Sequence, residues 1–267
     1  MRKTLMAGNW KMNKIEFEAR DFVKQLIGIL KWEQDVDVVL CPPYTALHAV
    51  GNAVKGTFIK LGAQDVFWSE RGAYTGKISP RMLTDLDVTY VIVGHSEARG
   101  RFGVDDPDLS DELMGVFGDT DATVNKKVHA CIGGGLRPII CVGETLRERD
   151  AGKTDSIICE QVRKALGGVA SDTVGDLVFA YEPVWAIGTG KVCGPEEANR
   201  VCGMIRDVIA SEYGEPAAEG TRVLYGGSVK PDNVAGLMEE PSIDGALVGG
   251  ASLEPETFAQ LVRFHRQ

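Results

Sequence analysis

Residues 181–191 read Tyr-Glu-Pro-Val-Trp-Ala-Ile-Gly-Thr-Gly-Lys. The apolar residues Leu177 to Ala180 lead into them and read as a short buried strand. That strand ends on a carboxylate, Glu182, with Pro183 directly behind it. Proline fixes its own φ and biases the residue before it towards extended backbone, so the Glu182 side chain is set at the strand's end. The following Ala186-Ile-Gly-Thr-Gly190 carries little side-chain bulk. Such a segment can move as a flap, and its amides can approach an anion closely. Pro195-Glu-Glu-Ala198 then has the chemistry of a helix start, with proline in the first turn and acids beside it. A base beside a mobile, amide-rich loop is the functional reading. A surface acid followed by an ordinary glycine loop is the plainer one.

The same strand–loop–helix rhythm runs through the chain. Short apolar runs recur at Thr4–Ala7, Val36–Leu40, Phe58–Leu61, Thr89–Val93, Pro138–Val142, Leu177–Tyr181, Arg222–Tyr225 and Gly245–Val248. Helical spacing separates them, most plainly over Ile15–Leu30, where Phe22, Val23, Leu26 and Leu30 share one face. Asp121–Ile132, Ser156–Leu166, Pro195–Tyr213 and Pro255–Arg263 read likewise. Eight such units imply an α/β fold: a single-domain (β/α)8 barrel over 1–267. An open doubly wound sheet needs a glycine fingerprint after its first strand, and Gly8-Asn9-Trp10-Lys11 is not one. One irregularity interrupts the rhythm after the fourth strand. An acidic insertion at about 101–118 reads as an excursion with one short helix of its own, either a solvated loop or an added interaction surface.

Composition narrows the class. The 267 residues are 44% hydrophobic, enough for a large core, and the net charge of −9 argues against a nucleic-acid partner. A small anionic substrate is still allowed, because local lysines and helix N-termini outweigh a diffuse charge. The six cysteines form no CxxC pair and mostly sit in apolar contexts, which implies buried thiols in a reducing compartment and no metal site. No apolar run approaches membrane-spanning length, and residues 1–20 hold charges where a signal peptide has an apolar core. A cytoplasmic protein is the expectation.

In a parallel barrel the site is built at the C-terminal ends of the strands. Asn9 and Lys11 stand after the first strand, Gly62-Ala-Gln-Asp65 after the third, and Gly94-His95-Ser96-Glu97 after the fourth. Glu182 follows the sixth, Gly226-Gly227-Ser228 the seventh and Gly249-Gly250 the eighth. Each has a bland alternative: a solvated lysine, a hydrogen-bonded core histidine, plain glycine turns. Gly94-His-Ser-Glu-Ala98 lacks the final glycine of a nucleophile elbow, and Trp185 stands where a P-loop's first glycine belongs. Together, however, a phosphate seat, a carboxylate, a histidine and a lysine suit proton abstraction next to a carbonyl. Another phosphate-binding barrel enzyme, or a binding protein on an inactive barrel, would not need all of them.

These residues resemble the triosephosphate isomerase family. The likeness runs from Met6 to Leu253, through Ala7-Gly-Asn-Trp-Lys-Met-Asn13, Gly72-Ala-Tyr-Thr-Gly76, Gly94-His-Ser-Glu97, Cys141-Val-Gly-Glu-Thr145, the Glu182 loop, Tyr225-Gly-Gly-Ser-Val229 and Val248-Gly-Gly-Ala-Ser252. The resemblance implies interconversion of dihydroxyacetone phosphate and D-glyceraldehyde 3-phosphate through an enediolate, with no cofactor or metal. It implies Glu182 as base, His95 as a neutral imidazole polarising the carbonyl, Lys11 as positive charge and Asn9 as a further donor, with Glu97 an acid near Lys11. A neutral imidazole beside a helix N-terminus is the general pattern of this family. The amides of Gly188, Gly249 and Gly250, with Ser228, would hold the phosphate. Pro183-Val184-Trp185 and Lys191-Val192-Cys193 would be the hinges of a closing lid. The loop carrying Thr75 would enter a second subunit of a homodimer.

Three departures from the family pattern stand out. The second hinge usually resembles Lys-Thr-Ala, and Val192 and Cys193 replace its last two residues, which implies an altered opening rate. Lys77 replaces an acid after Tyr74-Thr-Gly76, and Ala98 replaces an arginine after Glu97. Losing an acid and a base together removes an ion pair without an orphan charge, so the dimer is expected to survive with other contacts.

Overall fold

A computed structural model describes residues 2–31, 33, 35–104, 109 and 113–266. Eight strands form in chain order: β1 Thr4–Asn9, β2 Val36–Cys41, β3 Ile59–Ala63, β4 Tyr90–Val93, β5 Arg137–Val142, β6 Val178–Tyr181, β7 Arg222–Tyr225 and β8 Gly245–Val248. All neighbours are parallel, and β8 pairs back onto β1 to close the barrel. The eight expected apolar runs are the eight strands, with ends that differ by one or two residues. Parallel strands covered on both faces are apolar along their whole length, which is why runs and not alternation mark them.

The pleat still sorts side chains into two layers. Leu5 and Ala7, Val39 and Cys41, Ile139 and Cys141, and Val178 and Ala180 pack inside the barrel with Tyr90, Ile92, Leu224 and Leu247. Met6, Val38, Leu40, Ile140, Phe179 and Val223 face outward onto the helices. This parity carries to the strand ends. Asn9 continues the inward set of β1, and Glu182 that of β6.

The helices Glu16–Leu30, Asp121–Gly133, Thr154–Leu166, Pro195–Tyr213 and Pro255–Val262 stand where spacing predicts them. Their ends are marked chemically. The Ile15 amide donates to Glu18 Oε2 at 3.0 Å, and Thr120 and Thr123 cap one another's backbone. Leu47–Val54, Pro80–Thr84, Leu146–Asp150 and Val234–Met238 are further helices of eight residues or fewer, too short to show several turns of periodicity.

The stretch expected to be an insertion follows β4. Leu113–Val116 form a 3₁₀ turn, the short helix expected there, while residues 105–108 and 110–112 of the expected excursion lie outside the described residues.

Candidate active site

The strands' C-terminal ends surround a cavity of about 390 Å³. Asn9, Lys11, His95, Gly188, Ser228, Gly249 and Gly250 line it, so seven of the sequence-derived site residues meet in one place. Ile187, Gly226, Gly227 and Lys230 line it as well. Lys230 was not singled out from sequence, although a lysine two residues beyond Gly-Gly-Ser is a visible signal for an anion seat.

Lys11 reaches the cavity through a strained backbone. Its φ of 52° lies in the left-handed region that a β-carbon disfavours, at a cost of about 1–3 kcal/mol. Three contacts hold it there. The Lys11 amide donates to Asn9 Oδ1 at 3.0 Å, and Gln64 Nε2 donates to the Lys11 carbonyl at 2.8 Å. Asn13 Nδ2 donates to the Trp10 carbonyl at 2.7 Å, and Trp10 itself is buried edge-on against Phe22. Lys11 Nζ pairs with Glu97 Oε1 at 2.6 Å, as an acid near Lys11 was expected to. A β-carbon on Gly249 would lie 3.3 Å from Lys11 Cε, so glycine there lets the lysine tip lie over the Gly249–Gly250 backbone.

His95 owes its aim to Gly94. Tyr90 and Ile92 face inward, so an unbroken strand would turn residue 95 outward. Gly94 takes φ of 70°, and the reversal brings His95 to the mouth. No helix begins here. Residues 96–100 make a turn closed by the Arg99 amide on the His95 carbonyl, and the Glu97 amide donates to His95 Nδ1 at 3.2 Å. Where the resemblance implies a helix N-terminus beside this ring, the structure has a turn whose Glu97 amide faces Nδ1. An acceptor Nδ1 leaves the proton on Nε2, which faces Glu182 Oε1 at 3.0 Å.

Glu182 is 2% exposed and does not line the cavity. Its carboxylate is caged: the Ser96 amide donates to Oε2 at 2.9 Å, the Ser96 hydroxyl to Oε1 at 3.1 Å, and His95 Nε2 to Oε1. Its backbone is confined too, since a β-carbon on Gly143 would overlap the Glu182 carbonyl. Burial pushes the carboxyl pKa up, but His95 and the two Ser96 donors outweigh it and hold Glu182 below the ordinary carboxylate value. Burial likewise pushes His95 down, yet the charge and hydrogen bond of Glu182, with Glu97 behind, raise its pKa above the ordinary imidazole value. The pair is mutually stabilising in this resting geometry. Ser96, which the sequence offers only as a nucleophile, instead supplies two of the hydrogen bonds that hold Glu182.

The segment between the two expected hinges is tied at both ends. Trp185 Nε1 donates to Glu144 Oε1 at 2.8 Å, and the Tyr181 hydroxyl reaches the same oxygen at 3.2 Å. Arg149 lies over the Trp185 ring at 4.3 Å. Pro183 and Val184 follow Glu182 directly, which couples the expected hinge to the carboxylate through the backbone. At the other end Lys191 and Val192 are exposed, and the Tyr225 hydroxyl donates to the Cys193 carbonyl at 3.4 Å. Gly188 and Gly190 between them take φ of 73° and 77°. Thr75 and its neighbours 71–77 are exposed, Lys77 included, and the Ala98 carbonyl accepts the Asp119 amide at 3.1 Å.

Among the described residues one group, Glu33, Asp35 and His265, brings three potential metal ligands together. Glu33 and Asp35 precede β2, so the group belongs to the opposite end of the barrel from the cavity. All six cysteines are free thiols, and only Cys159 is not buried.

The comparisons agree with this geometry. The family model described as Triosephosphate isomerase matches residues 4–265. The triosephosphate isomerase of Caldanaerobacter subterraneus subsp. tengcongensis is 49% identical over 264 residues, 99% of this chain and 100% of the relative. That of Moorella thermoacetica is 50% identical over 267 residues, 99% of each. Among solved structures, triosephosphate isomerase from Bartonella henselae superposes with a TM-score of 0.85 at 33% identity, covering 99% of this chain and all of the other. With a closed eight-stranded barrel whose mouth gathers Asn9, Lys11 and His95 beside a caged Glu182, the chain belongs to the triosephosphate isomerase family.

Proposed function

We propose that Glu182 is the base with which this isomerase moves a proton between the two carbons that interconvert dihydroxyacetone phosphate and D-glyceraldehyde 3-phosphate. The observation that carries the proposal is the cage on Glu182: a carboxylate held ionised, one hinge away from a cavity whose described lining includes no acid. When the hinge Pro183-Val184-Trp185 moves, Glu182 leaves Ser96 and takes the proton next to the substrate carbonyl. Lys11 and the Nε2–H of His95 stabilise the oxygen of the resulting enediolate, and Asn9 donates a further hydrogen bond. Glu97 holds Lys11 in place through their ion pair. The amides of Gly188, Gly249 and Gly250, with Ser228, hold the phosphate. Residues 183–193 form the lid, with Lys191-Val192-Cys193 as its second hinge, and closure excludes water from an intermediate that would otherwise eliminate phosphate. A coupled assay of glyceraldehyde 3-phosphate isomerisation tests the reading, and a protein that binds a phosphate analogue without turnover would contradict it.

Ser96 adds to His95 in keeping the base ionised at rest. Removing its hydroxyl takes away one of the donors that lower the Glu182 pKa while burial remains. In Ser96→Ala the acidic limb of kcat/KM therefore moves to higher pH, because the base form exists only above its pKa. A limb that stays in place would separate Ser96 from the ionisation of the base.

The whole chain is best read as one catalytic domain with an acidic insertion at 101–118. It would act in a reducing cytoplasm, where six free thiols persist. Among the described residues no helix is long and apolar enough to cross a membrane. A homodimer would cover apolar side chains that follow the first three strands: Met12 is 96% exposed, Ile15 and Phe17 are about two-thirds exposed, and Tyr44, Tyr74 and Met82 are exposed as well. Sedimentation is expected to give a dimer. An active monomer would show that Lys77 and Ala98 have cost the interface.

A further inference from the structure

The insertion begins against the lid. A β-carbon on Gly103 would overlap the Ile187 carbonyl oxygen and stand 2.5 Å from the Val184 carbonyl and 3.1 Å from Thr189 Cγ2. Gly103 does not take a positive φ, so the obstacle to a side chain there is the lid's backbone and not a left-handed conformation. Val104 continues along the same segment, 3.9 Å from where a β-carbon on Gly188 would sit. The neck beneath is fixed. Phe102 and Phe117 close it edge-to-face at 5.2 Å, Met114 packs over Gly100, and Arg101 forms an ion pair with Glu148 at the start of the helix Leu146–Asp150.

We infer that the base of the insertion is the seat on which the first half of the lid rests, with Gly103 as its positioning residue, so that the insertion governs lid movement. The inference rests on residues 183–193 being the lid. Its cause is steric. Backbone carbonyls at 184 and 187 approach Gly103 more closely than any β-carbon allows, and a backbone cannot yield by changing rotamer. A lid displaced from this seat seals the cavity poorly. The enediolate then loses phosphate: a pair on its charged oxygen forms a carbonyl, the pair of its double bond shifts to join the phosphate-bearing carbon, and that carbon's bond to oxygen breaks as phosphate departs with the bonding pair.

The test is Gly103→Ala, assayed for isomerisation and for inorganic phosphate released per turnover. The kcat is expected to fall about tenfold to a hundredfold, as an ångström-scale misplacement does, with more phosphate released and an unchanged thermal midpoint. Val104→Ala, which removes only an exposed edge contact, is expected to behave as the unaltered protein. If Gly103→Ala does not fold, Phe102→Leu loosens the neck without adding an atom beside the lid and must also raise phosphate release. Unchanged kinetics and phosphate release in Gly103→Ala, or in Phe102→Leu should it be the only folded variant, overturn the inference. Hydrogen exchange of the 184–191 amides, with and without glycerol 3-phosphate, tests the lid separately in the unaltered protein. Slowed exchange with normal Gly103→Ala kinetics refutes the seat alone, and exchange that ligand does not slow refutes lid and seat together.

Discussion

Glu182→Gln is expected to lower kcat by about 10³- to 10⁴-fold, the upper part of the range for a general base. Two features put it there. Asn9, Lys11, His95, Ser228 and the glycines that line the cavity include no second carboxylate to take over the proton. The amide is also a poor match for the cage, because one of its two positions must present donors to His95 Nε2–H or to Ser96, where the carboxylate presents only acceptors. KM should change little, since Glu182 lies outside the cavity in the resting protein and contributes little to ground-state binding. Steady-state kinetics separate the two parameters. A large rise in KM with kcat preserved would make Glu182 a binding residue.

Lys11→Met should lower kcat/KM by about 10²- to 10³-fold, comparable to removing one preorganised donor from a developing oxyanion. Methionine keeps the stem and the β-carbon, so the backbone strain at φ of 52° is the same in both proteins and only the charge is lost. Stability should barely respond. Lys11 and Glu97 are 30% and 40% exposed, and ion pairs so open to water are worth about 0–1 kcal/mol. The separation of a large kinetic loss from a small shift in thermal midpoint is what identifies Lys11 as part of the chemistry. Equal losses in folding and activity would instead assign it to the loop's structure.

The fold was legible because its signal is covalent in the sequence. Eight buried parallel strands are eight apolar runs, and the long helices carry their own periodicity. The short helices Leu47–Val54 and Pro80–Thr84 lacked such a signal, since one or two turns repeat nothing. Cavity-lining residues at strand ends were readable from position alone. Relations across the barrel were not. That Gln64 holds the Lys11 carbonyl, that Glu144 ties down Trp185, and that Ser96 cages Glu182 are contacts between residues 41 to 86 positions apart. Each depends on the closure of the barrel and on the pleat that turns Gln64 and Glu182 inward. The turn at Gly94 is the instructive intermediate: the glycine is plain in the sequence, but its effect on His95 emerges only once β4 fixes which way residue 95 would otherwise face.

The most direct measurement follows the proton itself. Dihydroxyacetone phosphate is incubated in D₂O with the unaltered protein and with Glu182→Gln, and carbon-bound deuterium is read in substrate and product by NMR. If Glu182 removes and returns the proton, the unaltered protein incorporates solvent deuterium at the reacting carbon and Glu182→Gln, still binding the substrate, incorporates almost none. Incorporation by Glu182→Gln at the unaltered rate would mean that another group is the base.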